Sequence, residues 1–283
     1  MWQKSYDDSP TLYLIPTPIG NMDDITYRAI KILESVNVVF SEDTRVTGLL
    51  LKYFNIKKKL ISLHDHNEDI VKNKVLEFLK SGNNVGLVTD RGTPVISDPG
   101  YKTVKYIVDN GYNVVSLPGA CAFVSALISS GISPEPFTFY GFLDSKENKK
   151  RKELESLKFV SNTLIFYEAP HRLISTLSLI YNIFGDREIS LSREISKKYE
   201  CIYRGCVSFL LDNLDNIKGE FVIVVAGYSN SGNNFDLSVF DNVLLYIENG
   251  MDKMDAIKMV AHERGISKSE VYSIYHKGVL KWN

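Results

Sequence analysis

Between Val85 and Cys121 the chain reads VGLVTDRGTPVISDPGYKTVKYIVDNGYNVVSLPGAC, and few architectures accommodate that order of residues. Val85 to Thr89 is an apolar run suited to a buried strand. It breaks at Asp90 into a polar loop rich in Gly and Pro, TDRGTPVISDPG. The spacing of Val104, Ile107 and Val108 predicts a helix from Tyr101 to Asn110, with Gly111 where a helix C-cap belongs. A second apolar run, Asn113 to Leu117, ends in Pro118-Gly119-Ala120-Cys121. Strand, loop, helix, strand, loop is the repeating unit of a parallel sheet. Ligands of such sheets sit beyond the carboxyl ends of the strands. Small residues and turn formers at both strand ends let a ligand come close to the backbone. Each loop alone also reads as an ordinary turn. Two of them on neighbouring strand ends, one carrying Asp90 and Asp98, favour a binding site.

The same pattern recurs upstream. Leu12 to Ile15 is a short apolar strand running into PTPIGN, Pro16 to Asn21, a stiff turn whose backbone can lie against a ligand. Asn21, Asp23 or Asp24 is placed to cap a helix carrying Ile25, Ala29, Ile30 and Leu33. Val36 to Phe40 is a strand ending in SEDTR, Ser41 to Arg45. That motif reads either as a polar site or as a surface Asp43–Arg45 pair. Leu60 to Leu63 is a strand followed by HDHNE, His64 to Glu68, and by an amphipathic helix with Ile70, Val71, Val75, Phe78 and Leu79 on one side. His64-Asp65-His66 has the look of half a metal site, but no third ligand is evident nearby, so no metal is expected.

Beyond the PGAC loop, Ala122 to Ser130 predicts a close-packed helix of small residues ended by Gly131. Phe137 to Phe142 opens a second set of strands. SKENKKRKELESLK, Ser145 to Lys158, is helical by composition; Lys146, Lys149, Lys150, Arg151 and Lys152 form either a solvated face or an RNA-facing edge. Thr163 to Tyr167 is a strand ending in EAPHR, followed by a helix with Leu173, Leu177, Ile180 and Ile183. Glu188 to Ser192 is another strand, ending in REISKKYE. Tyr199 to Tyr203 is extended, Val207 to Leu211 helical, and KGEFVIVVAG a final buried strand. The Ser/Asn/Gly-rich stretch Ser229 to Asn234 reads as a linker. Past it lie a helix with Val243, Leu244 and Ile247, one with Ala256, Ile257, Val260 and Ala261, and one after Gly265 capped by Ser267 and carrying Val271 and Ile274. The last two resemble a helix-turn-helix, with Lys268, Lys277 and Lys281 available to a nucleic acid.

Composition narrows the class. The 33 Lys and Arg nearly balance the 34 Asp and Glu, so any nucleic-acid partner must be met by a local patch. Cys121, Cys201 and Cys206 are odd in number and have no metal-binding spacing, which suits a reducing cytoplasm. No apolar run approaches a membrane span, and MWQKSYDDSP does not read as a signal peptide.

LIPTPIGNMDDIT, SEDTR, TDRGTPVISDPG, LPGACA, FYEAPHR and KGEFVIVV, in that order over roughly residues 11 to 227, resemble the ribosomal-RNA-modifying branch of the tetrapyrrole methylase superfamily. The helical tail fits too. The PTPIGN loop lacks the GPG form of the tetrapyrrole-making relatives. Arg91 departs from the branch, which usually carries a small residue there, and sets a charge beside the expected cofactor loop. The resemblance implies two consecutive α/β domains of the class III methyltransferase type, residues 1–118 and 119–228, with a linker and helical tail at 229–283. It implies S-adenosylmethionine in the cleft between the domains and methylation of a cytidine ribose 2′-hydroxyl in the decoding region of 16S rRNA in the small ribosomal subunit. It also implies a homodimer. Carried over motif by motif, the cofactor contacts are Pro18, Thr93, Val95, Ile96, Cys121 and Ala122 in the first domain. In the second they are Tyr167, Ser192, Arg193 and the strand end near Val225 and Ala226. Two other readings compete: a small-molecule methylase of the tetrapyrrole pathway on the same scaffold, and a ribosome-binding protein without catalysis.

Methyl transfer to an alcohol needs alignment of donor and acceptor and a group that takes the proton or steadies the alkoxide. Asp98, Glu42, Glu168 and His171 are the residues able to act as base, and Arg172, Arg193 or Lys198 those able to meet negative charge. Catalysis is expected to depend on Asp98, Glu168, His171, Arg172 and Arg193. Sequence leaves the choice open, because Asp98 also reads as a helix cap and Glu168 as a partner of Arg172.

Overall fold

The computed structural model describes the whole chain except Met1, Tyr6, 215–217, 230–236, 249 and 283, and the side chains of 280–282. The first half is a five-stranded sheet built from β1 (Thr11–Leu14), α1 (Tyr27–Ser35), β2 (Val38–Ser41), α2 (Thr44–Tyr53), β3 (Lys59–Ser62), α3 (Glu68–Lys80), β4 (Val85–Val88), α4 (Tyr101–Asp109) and β5 (Asn113–Ser116). The strand order is β3-β2-β4-β1-β5, and every pairing is parallel. Strands this short alternate their side chains between two apolar layers. Leu12, Val38, Phe40, Val85 and Leu87 meet Val75, Leu76 and Leu79 of α3 and Ile107 of α4 on one face. Val39 and Val88 meet Ala29 and Leu33 of α1 and Leu51 of α2 on the other. With both faces covered, the strands read as continuous apolar runs.

Local details depart from the sequence reading at helix starts. Asn21 caps only a 3-10 turn, Met22–Asp24, and it is Thr26 whose side chain accepts from Ala29 N and starts α1. Asp43 and Arg45 form an ion pair at 2.6 Å, and Asp43 also caps α2. Asp98 caps nothing; α4 begins after Gly100. At its far end Gly111 adopts φ 83, and the amides of Gly111 and Tyr112 return to Val108 O and Ile107 O.

The second sheet follows α5 (Ala122–Ser129). It comprises β6 (Phe137–Phe142), α6 (Glu147–Leu157), β7 (Thr163–Glu168), α7 (Leu173–Phe184), β8 (Glu188–Arg193), β9 (Cys201–Cys206), α8 (Val207–Asn213) and β10 (Phe221–Val225). The order is β6-β7-β10-β8-β9. Only β6 and β7 are parallel; β10 runs antiparallel to both β7 and β8. Residues of α6, α7 and α8 cover one face. Ala126 and Leu127 of α5 cover the other, against Ile165, Val222 and Val224. Lys150 does not join a basic edge on α6. It shares the buried face with Leu154, one helical turn on, and its ammonium donates to Thr176 Oγ1 at 2.7 Å inside the core.

Both sheets belong to one compact unit ending at Gly227; residues from Tyr228 onward form a second. That second unit has helices α9 (Val239–Glu248), α10 (Lys253–Arg264) and α11 (Lys268–Trp282). Asn242, Val243, Tyr246, Ala256, Ile257, Val260, Ala261 and Val271 are buried among its described residues. Gly265 at φ 63 ends α10, and Ser267 Oγ accepts from Glu270 N to begin α11. Most of the expected linker and the side chain of Lys281 lie outside the described residues. Among the described residues no helix is long and apolar enough to cross a membrane.

Candidate active site

Three loops leave the carboxyl ends of β1, β4 and β5 and are tied to one another. Thr17 and Gly92 exchange backbone hydrogen bonds at 2.9 and 3.0 Å. The Thr17 hydroxyl donates to Thr89 O, and the Thr93 hydroxyl donates to Ala120 O at 3.0 Å. The loops touch so closely that a Cβ on Gly119 would lie 2.4 Å from Pro16 Cβ, and one on Gly92 3.1 Å from Ile19 Cγ2. The β4 loop holds Val95 at φ 77 and Ser97 at φ 62, both in the left-handed region. A β-branched residue there is strained. This geometry packs Val95 against the first core and leaves Ile96, Ser97 and Asp98 facing outward into a cleft.

The opposite wall comes from the second sheet. The register sets Phe221 beside both Glu168 and Arg193. The carboxyl ends of β7 and β8 therefore lie next to the amino end of β10. Between the two sheets is a cavity of about 430 Å³. Thr93, Ile96, Asp98, Cys121 and Ala122 line it from one side, and Tyr167, Glu168 and Ser192 from the other.

The remaining expected residues lie elsewhere. Pro18 is buried within its loop, and its neighbour Ile19 faces the cavity instead. Val95 is turned into the core. Val225 pairs with Leu164 and Ile189, and Ala226 N donates to Glu188 O, all at the far end of the sheet. An antiparallel β10 brings its first residues to the cleft, so Glu220, Phe221 and Val222 occupy the place expected of Val225 and Ala226. His171 is exposed on the turn after β7. Arg193 donates to Lys218 O at 2.6 Å and does not line the cavity. Glu220 and Phe221 are legible in the chain only as the start of an apolar run, and no local residue pattern sets the direction of that strand.

The polar groups differ sharply in how fully they are engaged. Glu168 is buried, and both its oxygens are taken: Oε1 accepts from Ala169 N at 2.9 Å and faces Arg172 Nε at 3.1 Å, while Oε2 accepts from Thr176 Oγ1 at 2.5 Å. Lys150 Nζ stands 3.6 Å away. Arg172 in turn donates to the carbonyls of Leu143 and Asp144. This network holds the turn that forms part of the wall.

Among the described residues, Asp98 has only the Thr89 hydroxyl beside it, and that hydroxyl donates to Glu42 Oε2 at 3.2 Å. Burial, and then the neighbouring carboxylates Glu42, Asp90 and Asp65, push its pKa up to about 6. Burial and Asp90 also raise Glu42, against the Thr89 hydrogen bond. Burial likewise raises Cys121 and Tyr167, so thiol and phenol stay protonated at neutral pH. The Ser192 hydroxyl is buried without a partner in the cavity wall. Among the described residues no group of three or more His, Cys, Asp or Glu is arranged to hold a metal ion.

A cavity between two α/β lobes, walled on one side by tied Gly/Pro loops at parallel strand ends, is the kind of place where α/β enzymes hold ligands. The family model Tetrapyrrole (Corrin/Porphyrin) Methylases matches residues 11–210, and the chain belongs to that family, whose methyl donor is S-adenosylmethionine. Proteins named ribosomal RNA small subunit methyltransferase I are similar to it along nearly their whole length. The one from Bacillus subtilis is 48% identical over 95% of each chain. The one from Halalkalibacterium halodurans is 42% identical over 97% of this chain and 99% of that one. Among solved structures, a cobalt precorrin-4 methyltransferase shares the fold with a TM-score of 0.57 at 18% identity, over 76% of this chain and 94% of that one. A uroporphyrin III C-methyltransferase from Thermus thermophilus gives 0.55 at 15% identity, over 76% and 97%.

The residues present fit such a cofactor. Gly92 and Ala122 leave the backbone open to a ligand, Tyr167 and Ser192 offer hydroxyls, and the wall is otherwise mainly apolar.

Proposed function

We propose that the chain methylates the ribose 2′-hydroxyl of a cytidine in the decoding region of 16S rRNA, on the small ribosomal subunit, with Asp98 as the group that takes the hydroxyl proton. The observation that carries this reading is the cavity between the lobes, into which Asp98 projects as its least engaged carboxylate. The names of the relatives above support the small-subunit substrate. When bound, S-adenosylmethionine supplies an electrophilic methyl group. The protein's part is placement and proton handling. Thr93, Ile96, Cys121, Ala122, Tyr167 and Ser192 hold the cofactor, joined by Ile19, Gly92, Phe221 and Val222. Asp98, with a pKa about 6, is ionised at neutral pH yet basic enough to receive a proton as the O–H bond breaks. Glu168 and Arg172 act by holding the wall: both Glu168 oxygens are engaged, and Arg172 ties that carboxylate to the carbonyls of Leu143 and Asp144. The enzyme works in the cytoplasm as a homodimer; the exposed apolar side chains of Val124 and Ile128 on α5 support a subunit contact.

The decisive experiment is transfer of labelled methyl groups onto purified small subunits, with the modified nucleotide mapped. Label on a ribose oxygen of a decoding-region cytidine is expected. Label on a base alone, or none, sinks the proposal.

A further inference from the structure

Arg91 and Glu220 come from opposite lobes, one in the loop after β4 and the other just before β10, and both line the same cavity. Their side chains meet at 2.6 Å. Arg91 is the one Lys or Arg among the described lining residues. Of the three carboxylates in the wall, Glu168 is fully engaged by neighbours and Asp98 sits among other carboxylates. Glu220 is different. Lys197 Nζ lies 2.9 Å from its second oxygen, and Glu220 N donates to Glu194 Oε1, so both side chain and backbone are held in place.

We infer that Arg91 and Glu220 bind the amino-acid end of the cofactor, the guanidinium receiving its α-carboxylate and the carboxylate receiving its α-ammonium, in place of the contact they make with each other. The inference rests on the cavity being the cofactor site. An α-amino acid carries opposite charges on neighbouring atoms, and an adjacent cation and anion present the matching pair. The guanidinium fork suits a carboxylate in particular. The existing ion pair opposes the exchange only weakly, since its side chains are 55% and 64% exposed and such pairs contribute little. Lys197 stays on Glu220 when Arg91 turns away, which keeps that carboxylate aimed. Arg91 thus has a use in this chain that a small residue could not supply.

The test is calorimetry on the full chain with two probes that differ only at the relevant end. S-adenosylhomocysteine carries the amino-acid group and no sulfonium charge; 5′-methylthioadenosine lacks the amino-acid group. Arg91→Ala is expected to weaken the first at least tenfold and leave the second within about twofold, with Arg91→Lys in between for the first. Glu220→Gln should discriminate in the same sense. Equal losses on both probes would make the pair a strap between the lobes and overturn the inference, as would no loss on either. A wild-type chain that binds neither probe would overturn the cofactor reading and this inference together, an outcome plainly different from the other two.

Discussion

Asp98 and Glu168 are both carboxylates in one cavity wall, and their surroundings give them opposite duties. Glu168 is enclosed by Arg172, Lys150, Thr176 and its own turn. Removing one member of such a buried set leaves the others uncompensated, so Glu168→Ala should destabilise the fold by about 3–5 kcal/mol in urea denaturation. Asp98 is held above its ordinary pKa of 3.8, at about 6. Between those values the unfolded chain has released a proton that the folded chain retains, so stability falls as pH rises through this window. Asp98→Asn removes that penalty. It should raise stability at pH 7 by ~1 kcal/mol, a figure discounted because the site is partly solvated, and the gain should shrink towards pH 4. The same substitution should lower single-turnover transfer by about 10²–10⁴-fold. In the wild type that rate should climb with pH through about 6 and then level off. An Asn variant with a normal rate would remove Asp98 from the chemistry, whatever its melting temperature.

At the scale of elements, the site depends on how closely three loops approach one another. Gly119 and Gly111 make a direct comparison. A methyl group on Gly119 collides with Pro16, whereas one on Gly111 meets nothing within 4 Å and suffers only from the φ of 83. Gly119→Ala should therefore lose about 1–3 kcal/mol by overpacking and weaken S-adenosylhomocysteine at least tenfold, because the tied loops must part. Gly111→Ala should lose ~1–2 kcal/mol from the left-handed backbone and leave affinity unchanged. Equal affinities in the two variants would show that loop contact does not shape the cavity. The β4 loop makes a related point: its strained Val95 anchors in the core so that the residues after it can face the cleft.

For the whole molecule, the cavity lining ends at Val222, and the compact unit that contains it ends at Gly227. A chain truncated after Gly227 should keep its affinity for S-adenosylhomocysteine within about threefold, measured by calorimetry. A much larger loss would mean that the three-helix unit supports the cofactor site. RNA binding is a separate matter. Lys150 is buried, Lys149 is paired to Asp144 and Arg151 to Glu147. Lys146 and Lys152 are therefore the cations of this segment best placed to meet phosphate. Replacing both by Gln should flatten the salt dependence of RNA binding by about 0.7 for each single-strand phosphate that the chain no longer neutralises. An unchanged slope would return α6 to the role of a solvated face.

The strand–loop–helix alternation, the parallel first sheet and the loops after β4 and β5 were legible in the chain itself. Each rests on local periodicity and on turn-forming residues, which act over a few positions whatever lies around them. Thr93, Ile96, Cys121 and Ala122, implied by the family resemblance, line the cavity with Asp98, since in a parallel sheet the loop after a strand emerges at the same edge; Pro18 and Val95, implied on the same ground, turn inward. The second sheet is mixed, and there the rule holds for Tyr167 and Ser192 near the ends of β7 and β8 but fails for β10. Only long-range pairing turned β10 antiparallel, so that Phe221 replaced Val225 at the cleft. Tertiary structure alone also buried Lys150, filled the valences of Glu168, gathered carboxylates around Asp98 and joined Arg91 to Glu220 across 129 positions of chain. Burial, electrostatic environment and contact between distant segments are properties of the assembled molecule, and no window of neighbouring residues contains them.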